Sequence, residues 1–245
     1  MKINCDLGEG LDDIDTALMP LIDQANIACG AHAGNDATIA RCIQLALSHK
    51  TEIGAHPSYP DRDNFGRVSL DISAEDLSAS INTQCRNFIA ICKNHNTLPS
   101  HIKPHGALYN DLASRSDIFE NLLKIIASLN QQEAPLDMSL MVHAKLRTPN
   151  HMALAKRYSI RLIFEGFADR AYADDANLVS RKKTHAVFNK IEKITKQVEV
   201  FCKKGGVYSE NGLWLPLKVD TLCIHGDNPL AVQALTKIIR SGVLL

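Results

Sequence analysis

The sequence predicts an α/β fold that closes into a (β/α) barrel, and three observations support this prediction. Short runs of β-type residues alternate with longer amphipathic segments along the 245 residues. The segments between runs are long enough to join parallel strands. Histidines and acidic residues follow nearly every run, and a closed barrel gathers such residues at one end. A doubly wound sheet is the alternative, but it would divide these groups across its switch point.

The β-type runs are recognised by their short apolar stretches and the turn residues around them. They are Lys2–Cys5, Asn26–Cys29, Thr51–Ala55, His101–Pro104, Ser139–Val142, Ile160–Phe164 and Thr221–Ile224. A hairpin is predicted before the last run, where Gly205-Gly206 and Asn211-Gly212 bracket residues 207–209 and 213–215. The polar stretch Asp169–Lys183 is predicted to be a long functional loop.

Helices are predicted between these runs from apolar residues spaced three and four positions apart. One begins near Asp36, and another follows Ser73, whose hydroxyl is predicted to cap the amide of Asp76. The other helices are expected at Asp117–Asn130, at Pro149–Tyr158, over a segment with Val187, Ile191, Ile194 and Val198, and at the C-terminus, with Asn228 as cap, Pro229 first and Gly242 at the end.

Composition and charge argue against several classes of partner. Lys and Arg total 27, as do Asp and Glu, so the formal net charge is zero. A nucleic-acid or anionic-membrane partner would need a basic excess. The apolar runs fall short of the ~18 residues that span a bilayer, and the first residues lack the apolar segment of a secretory signal. We expect a single domain over residues 1–245 that binds a small-molecule substrate in the cytoplasm.

The cysteines indicate a reducing environment. There are seven of them, an odd number, and none forms a CxxC pair. This spacing argues against a disulfide framework or a structural zinc site. We expect reduced thiols that pack as small apolar side chains.

Ionisable residues at the ends of the runs are the candidate site. Five of the ten histidines lie there, namely His32, His56, His105, His143 and His225. The other ionisable residues of these segments are Asp6, Glu9, Lys103, Glu165, Asp169, Arg170 and Asp227. Imidazoles and carboxylates are the groups from which acid–base and metal sites are built. One such residue is more often structural, but their recurrence at equivalent positions favours a common site.

Two kinds of chemistry find no motif in the sequence. Glycines flank the same positions, where they serve turns or allow a close backbone approach to a ligand. They do not form a GxGxxG or GxxxxGK[ST] element, so the sequence offers no nucleotide cradle. It also has no GxSxG elbow, so a covalent serine nucleophile is not indicated.

Several stretches together carry a resemblance to a known family. They are Asn4–Gly10, Asn26–Gly34, Ile53–Asp61 with Phe65–Arg67, Lys103–Asn110, Glu165–Tyr172 and His225–Asp227. In this order, across essentially the whole chain, they resemble the LamB/YcsF family, the A subunits of prokaryotic 5-oxoprolinase. The chain departs from the family pattern at Ala31, Val68 and Asn177, where an aromatic residue, a second arginine and a glycine are usual. Ala31 is expected to enlarge the pocket locally.

The resemblance implies both a fold and a reaction. The fold is a distorted (β/α) TIM-like barrel of the glycoside hydrolase/deacetylase type. The reaction is the ATP-dependent opening of 5-oxo-L-proline to L-glutamate by a hydrolase that works with B and C partner subunits. ATP is then a co-substrate of the complex, and the missing phosphate loop agrees with nucleotide binding by the partners.

Roles for the candidate residues follow from the chemistry of opening a lactam. Asp6 or Glu9, with His56 or His105, is expected to orient and deprotonate a water. Lys103 is expected to stabilise developing negative charge. The expected substrate-binding residues are His32, Glu165, Asp169, Arg170, His225 and Asp227, of which the arginine suits a carboxylate because its fork pairs with both oxygens.

Other functions and simpler roles remain open. A metal-dependent deacetylase of a sugar or amide would use Asp6, His32, His56 and His105 as ligands of a divalent metal. A binding subunit would only present a ligand to another enzyme. The simpler roles are an ion pair of Lys103 with Asp6 or Glu9, a contact of Arg170 with Asp174 or Asp175, and a solvated or partner-docking basic run at residues 181–183.

Overall fold

A computed structural model describes residues 1–133 and 135–244. Within these ranges the barrel strands are β1 (Lys2–Leu7), β2 (Gln24–Ala28), β3 (Glu52–His56), β4 (His101–Ile102), β5 (Ser139–His143), β6 (Leu162–Phe167) and β9 (Thr221–Cys223). They are parallel and close in the order β1-β2-β3-β4-β5-β6-β9. Outside the barrel, β7 (Val207–Tyr208) and β8 (Trp214–Leu215) form an antiparallel hairpin. The predicted barrel and hairpin are confirmed.

Helices surround the strands. They are α1 (Asp12–Leu18), α2 (Asp36–His49), α3 (Ala74–Asn94), α4 (Gly106–Asp111), α5 (Ser116–Gln132), α6 (Pro149–Arg157), α7 (Ile191–Lys204) and α8 (Ala231–Ser241). Helix α3 packs against α2 and α5, and α8 packs against α7 and α1. The main core lies between this layer and the barrel, because each helix turns its apolar face toward the strands. The Ser73 cap is confirmed, since its Oγ accepts from the Asp76 amide at 3.0 Å.

Several strands extend further than their apolar runs predicted. Asp6, His56, His143 and Glu165 were expected to follow strands, but they lie within β1, β3, β5 and β6. The sixth strand shows the largest difference, because it starts at Leu162 and runs to Phe167. Backbone pairing continues past the apolar residues because, toward the mouth of the barrel, the strands carry polar side chains. The backbone ladder therefore holds these groups directly.

The helix predictions need three corrections. Asn228 does not cap the last helix, which begins at Ala231, because its amide binds Asp169 and the carbonyl of Phe188. Val187 lies before α7 and bridges to Arg170 instead of facing the helix core. The short helices α1 and α4 were not predicted, because seven and six residues show too little periodicity.

The predicted long loop folds back on itself. Its backbone forms isolated bridges between Arg170 and Val187 and between Tyr172 and Leu178. The amide of Ala171 donates to Ala186, and that of Val179 donates to Ala171. We call residues 169–187 the folded loop. It leaves the carboxyl end of β6 and contributes one wall of the cavity described below.

A layer of hydrogen-bonded polar side chains fills the barrel interior. Asn26 Nδ2 donates to Asn4 Oδ1 at 2.9 Å, and its Oδ1 lies 2.8 Å from His101 Nε2. Asn4 Nδ2 donates to Thr221 Oγ1 at 3.1 Å. All four residues are fully buried. His101 packs where β3 has no side chain, since a Cβ at Gly54 would lie 2.1 Å from His101 Nε2. We call Asn4, Asn26, His101 and Thr221 the polar layer.

Two expectations from composition can be set beside the fold. Among the described residues, no helix is both long and apolar enough to cross a membrane. The seven cysteines are free, and all except the half-buried Cys202 are buried. The expectation that they pack as small apolar side chains is therefore met by the structure.

Candidate active site

A cavity of about 620 Å³ opens at the carboxyl ends of the barrel strands. The predicted site residues that line it are Asp6, Glu9, His56, Lys103, His105, Arg170, His225 and Asp227. His32, Glu165 and Asp169 are buried behind these residues and contact them. The topology therefore brings the predicted residues together, in a lining layer and a supporting layer.

Lys103 lies at the floor of the cavity between two carboxylates. Its Nζ is 2.8 Å from Asp6 Oδ1 and 2.8 Å from Glu165 Oε1. The other Glu165 oxygen accepts from the Tyr109 hydroxyl at 2.7 Å. Burial would lower the pKa of Lys103, but Asp6 raises it well above its ordinary value. The side chain is therefore an ammonium at neutral pH, and its predicted pairing with Asp6 is observed.

Three histidines surround Glu9 beside this ion pair. Glu9 Oε1 lies 3.0 Å from His32 Nε2, 3.1 Å from His105 Nδ1 and 3.8 Å from His56 Nε2. The rings of His32 and His105 stack with centroids 3.7 Å apart. We call Glu9, His32, His56 and His105 the histidine cluster. Their ligand atoms lie within 4.8 Å of one another, so the cluster is able to hold a metal ion.

This cluster corrects the predicted ligand set in one position. Asp6 was expected beside the three histidines, but the carboxylate among them belongs to Glu9. Asp6 instead accepts hydrogen bonds from Lys103 and from Asn26 Nδ2, both at 2.8 Å. The sequence did not distinguish the two acids, because both follow the first run within a few residues.

Backbone carbonyls fix the orientation of two of these rings. His56 Nδ1 lies 2.6 Å from the carbonyl of Lys103, and His105 Nε2 lies 3.0 Å from the carbonyl of Phe65. Because a carbonyl only accepts, both ring nitrogens carry a proton. His56 Nε2 and His105 Nδ1 then face each other at 3.0 Å.

The charges of the cavity shift the pKa values of its acids and bases. Burial opposes ionisation of Asp6, but His56 and Lys103 hold its pKa well below the ordinary value. Burial would lower the pKa of His56, but Asp6 raises it. For His32, burial lowers the pKa to about 4, so this ring is neutral at pH 7. The cavity therefore holds ionised carboxylates next to imidazoles of different basicity.

A second acid–histidine pair lies on the opposite side of the cavity. His225 Nδ1 is 2.9 Å from Asp169 Oδ1, and Asn228 Nδ2 donates to Asp169 Oδ2 at 3.2 Å. Burial would raise the pKa of Asp169, but His225 keeps it below its ordinary value. The carboxylate fixes the ring of His225, which lines the cavity.

Arg170 uses part of its guanidinium to hold the folded loop. Its Nε donates to the carbonyl of Ala186 at 3.2 Å, and Nη2 donates to Val179 at 2.7 Å. The expected contact with Asp174 or Asp175 is not the one that forms, since those carboxylates bind Ser209 and Asn177. Arg170 still lines the cavity with the rest of its donors.

The mouth of the cavity carries exposed charges. Asp227 accepts from Arg181 Nη1 at 2.9 Å, and Arg67 Nη2 lies 3.6 Å away. Lys182 also lines the mouth, whereas Lys183 pairs with Glu210. The basic run at residues 181–183 is therefore divided between the cavity and the surface.

Sequence reasoning did not assign some lining residues to the site. Tyr109 and Phe167 form part of the wall, and Lys103 Nζ lies within 6.0 Å of both ring centroids. Tyr109 was recoverable, because it follows His105 by four positions and so shares its helix face. Phe167 gave no signal, because the predicted sixth run ended at Phe164 and left the residue outside a strand.

The comparisons agree with this fold. A profile described as LamB/YcsF family matches residues 1–243. The 5-oxoprolinase A subunit of Vibrio cholerae is 40% identical over 242 residues, which cover 97% of this chain and 96% of the relative. The 5-oxoprolinase A 3 subunit of Pseudomonas aeruginosa is 38% identical over 96% and 94%. The crystal structure of the lactam utilization protein from Thermus thermophilus matches with a TM-score of 0.85 and 27% identity, over 99% and 96%.

Proposed function

The chain belongs to the LamB/YcsF family, and from that premise we propose that it is the A subunit of a 5-oxoprolinase. It opens the lactam of 5-oxo-L-proline to give L-glutamate, in an ATP-dependent reaction shared with B and C subunits in the cytoplasm. Two relatives with nearly full coverage are named as A subunits of 5-oxoprolinase. Such a name implies that other subunits take part. The sequence has no phosphate-binding loop, which supports nucleotide handling by the partners.

The reaction needs several groups at once. A lactam is an unreactive amide, so its opening requires activation, a positioned water, a base, and an acid for the ring nitrogen. In this proposal ATP activates the lactam on the partners by phosphorylation of its oxygen. Water then adds to the carbonyl carbon, the carbon–nitrogen bond breaks, and the nitrogen takes a proton. One lactam, one ATP and two water molecules give glutamate, ADP and phosphate.

The observation that carries the proposal is the ammonium of Lys103 at the cavity floor beside an ordered carboxylate–histidine cluster. A buried positive charge stabilises negative charge that develops on a substrate oxygen far better than an exposed one. Glu165 and Tyr109 hold this ammonium from behind. Lys103 therefore acts as the electrostatic stabiliser.

Proton transfer is assigned to the groups beside Lys103. Asp6 lies 3.5 Å from His56 Nε2, and Glu9 lies 3.1 Å from His105 Nδ1. Either carboxylate with its histidine is arranged to orient and deprotonate a water. His32 positions Glu9 through the contact between its Nε2 and Glu9 Oε1. Asp6, Glu9, His56 and His105 are the proposed acid–base residues.

Substrate binding is assigned to the opposite wall. The free donors of Arg170 suit the carboxylate of 5-oxoproline, and His225, fixed by Asp169, lies on the same wall. Asp227 holds Arg181 at the mouth. In this proposal Glu165 acts only through Lys103, so it is a positioning residue.

The test is glutamate release from 5-oxoproline and ATP, measured with and without the cognate B and C subunits. Asp6→Asn keeps the size of the side chain but removes its charge, and we expect turnover at saturating substrate to fall at least ~100-fold, within the range for acid–base groups. Unchanged turnover would remove Asp6 from the mechanism. A change in KM alone would favour a binding subunit instead of an enzyme.

A second candidate function is metal-dependent deacetylation of a sugar or amide, and the histidine cluster is the observation that favours it. This reaction needs neither ATP nor partner subunits. Acetate release from an N-acetylated sugar by the purified chain, lost on chelation and restored by metal, would support it. Absence of acetate release, together with ATP-dependent glutamate release, would exclude it.

A further inference from the structure

We infer that Glu9, His56 and His105 form a binding site for a divalent transition metal, with an open coordination position facing the cavity. All three side chains line the cavity, whereas His32 is buried behind Glu9. The site thus has the pattern of three protein ligands and one free position that is usual for catalytic zinc. The inference concerns metal binding itself and does not depend on which amide is hydrolysed.

The distances between the three ligand atoms suit one ion. Ligands about 2.1 Å from a tetrahedral metal lie about 3.4 Å from one another. The separations are 3.1 Å for Glu9 Oε1 and His105 Nδ1, 3.0 Å for His105 Nδ1 and His56 Nε2, and 3.8 Å for His56 Nε2 and Glu9 Oε1. Only small adjustments would place all three atoms around a common centre.

The hydrogen bonds of both rings point their free nitrogens at this centre. The carbonyls of Lys103 and Phe65 take the protons on His56 Nδ1 and His105 Nε2. Metal-binding histidines usually donate their second nitrogen in this way, which fixes the tautomer and the ring orientation. The lone pairs of the two neutral rings would otherwise face each other at 3.0 Å. A cation between them removes this repulsion.

The charge distribution also distinguishes Glu9 from its neighbour. Asp6 has the ammonium of Lys103 as a permanent partner. Among the described residues, the side-chain partners of Glu9 are the three histidines, which carry no permanent charge. A divalent ion would supply the positive charge that Glu9 lacks. Carboxylate and imidazole ligands together suit zinc and neighbouring first-row ions.

His32 then has the role of a supporting residue. Its Nε2 lies 3.0 Å from Glu9 Oε1, and its ring lies parallel to that of His105 at 3.7 Å. Parallel stacked rings direct their in-plane lone pairs side by side instead of toward one point, so His32 is better placed to orient Glu9 than to bind the same ion. A metal held here would polarise a substrate oxygen that enters the cavity.

The test is direct metal binding to the full chain after removal of metals by chelation. Calorimetric titration with Zn²⁺ is expected to show one equivalent bound. X-ray absorption of the Co²⁺ form is expected to show two imidazole ligands. Glu9→Gln and His105→Gln should weaken binding more than ~100-fold, and His32→Gln, which removes only a support for a ligand, by ~10–100-fold.

His143→Gln is the matched control, since His143 is also buried and lines the cavity but lies outside the cluster. It should bind Zn²⁺ as the parent does. No binding by the parent, or equal weakening in His143→Gln, would overturn the inference. If the ligand variants fail to fold, a Co²⁺ spectrum of the parent without two imidazole ligands would still overturn it. Glutamate release plays no part in these measurements, so their failure is distinct from failure of the proposed reaction.

Discussion

At the scale of single residues, Lys103 compensates two carboxylates at once. Asp6 and Glu165 approach its ammonium from different strands, β1 and β6, and Tyr109 donates to Glu165 from helix α4. Buried charges are tolerated only where each has a partner of opposite sign. The strand-end pattern of the sequence predicted that these side chains meet. It did not predict which carboxylate meets which cation, because this depends on the diameter of the barrel and the tilt of its strands.

Lys103→Met is expected to destabilise the fold by about 3–5 kcal/mol, because it leaves buried carboxylates without a cation. Urea unfolding monitored by circular dichroism measures this loss. Lys145→Met, which replaces a lysine at the rim of the same cavity, should change the free energy of unfolding little. The double variant Lys103→Met/Glu165→Gln should recover part of the loss. No recovery would show that the loss arises from packing instead of charge.

His101 predicts part of the acid sensitivity of the fold. Burial lowers the pKa of His101 to about 3 in the native state, whereas the unfolded chain takes up this proton near pH 6.5. Between these values the unfolded state binds more protons, so stability falls as pH falls from 6.5 toward 3, by up to ~1.4 kcal/mol per pH unit. Other buried histidines add to the slope of the parent.

The measurement is the urea midpoint at pH 5 and pH 7. His101→Gln lacks the titrating group and should show a smaller difference between the two pH values than the parent. His49→Gln changes an exposed residue at the end of α2 and should reproduce the parent difference. An equal pH dependence in the parent and in His101→Gln would contradict the assignment.

At the scale of elements, the strands and helices differ in how well their sequence signals define them. The longer helices were predicted because their apolar stripes and the Ser73 cap are local signals. The ends of strands were predicted less well, since an inward-facing Asp6 or Glu165 continues the backbone ladder without an apolar side chain. Asn228 looked like a helix cap, but a tertiary contact with Asp169 takes its side chain.

Gly54→Ala tests the packing of β3 against the polar layer. A methyl group there would lie 2.1 Å from His101 Nε2, so we expect a loss of at least about 1–3 kcal/mol, as for other overpacked cores. Gly226→Ala is the matched control, because its new Cβ would meet its nearest neighbour at 3.4 Å. A smaller loss for Gly54→Ala than for the control would contradict the packing argument. Thermal unfolding of both variants provides the comparison.

At the scale of the whole molecule, the barrel closes between its first and last strands. β9 pairs with β1 on one side and with β6 on the other. The sequence predicted a barrel from the recurrence of strand-end groups, and closure confirms this. The spatial order β6-β9 could not be predicted locally, because the hairpin β7-β8 between them in sequence lies outside the barrel.

Thiol accessibility reports on the integrity of this closed structure. Six cysteines are buried, and burial raises the pKa of Cys42, Cys85 and Cys92 to about 12, so they are poorly reactive. We expect a thiol reagent to modify Cys202 alone in the native protein and all seven cysteines in guanidinium. Cys202→Ser should remove the native reaction. Rapid modification of further thiols in this variant would contradict the burial of the remaining six.

The polar layer has a consequence for traffic through the molecule. Asn4, Asn26, His101 and Thr221 bond to one another across the barrel interior, so the cavity is a blind pocket with its exit at the entrance. Reactant and product must use one doorway in turn. A delivering partner therefore has to dock beside the charged rim of Arg67, Arg181 and Asp227 without sealing it, or leave before glutamate departs.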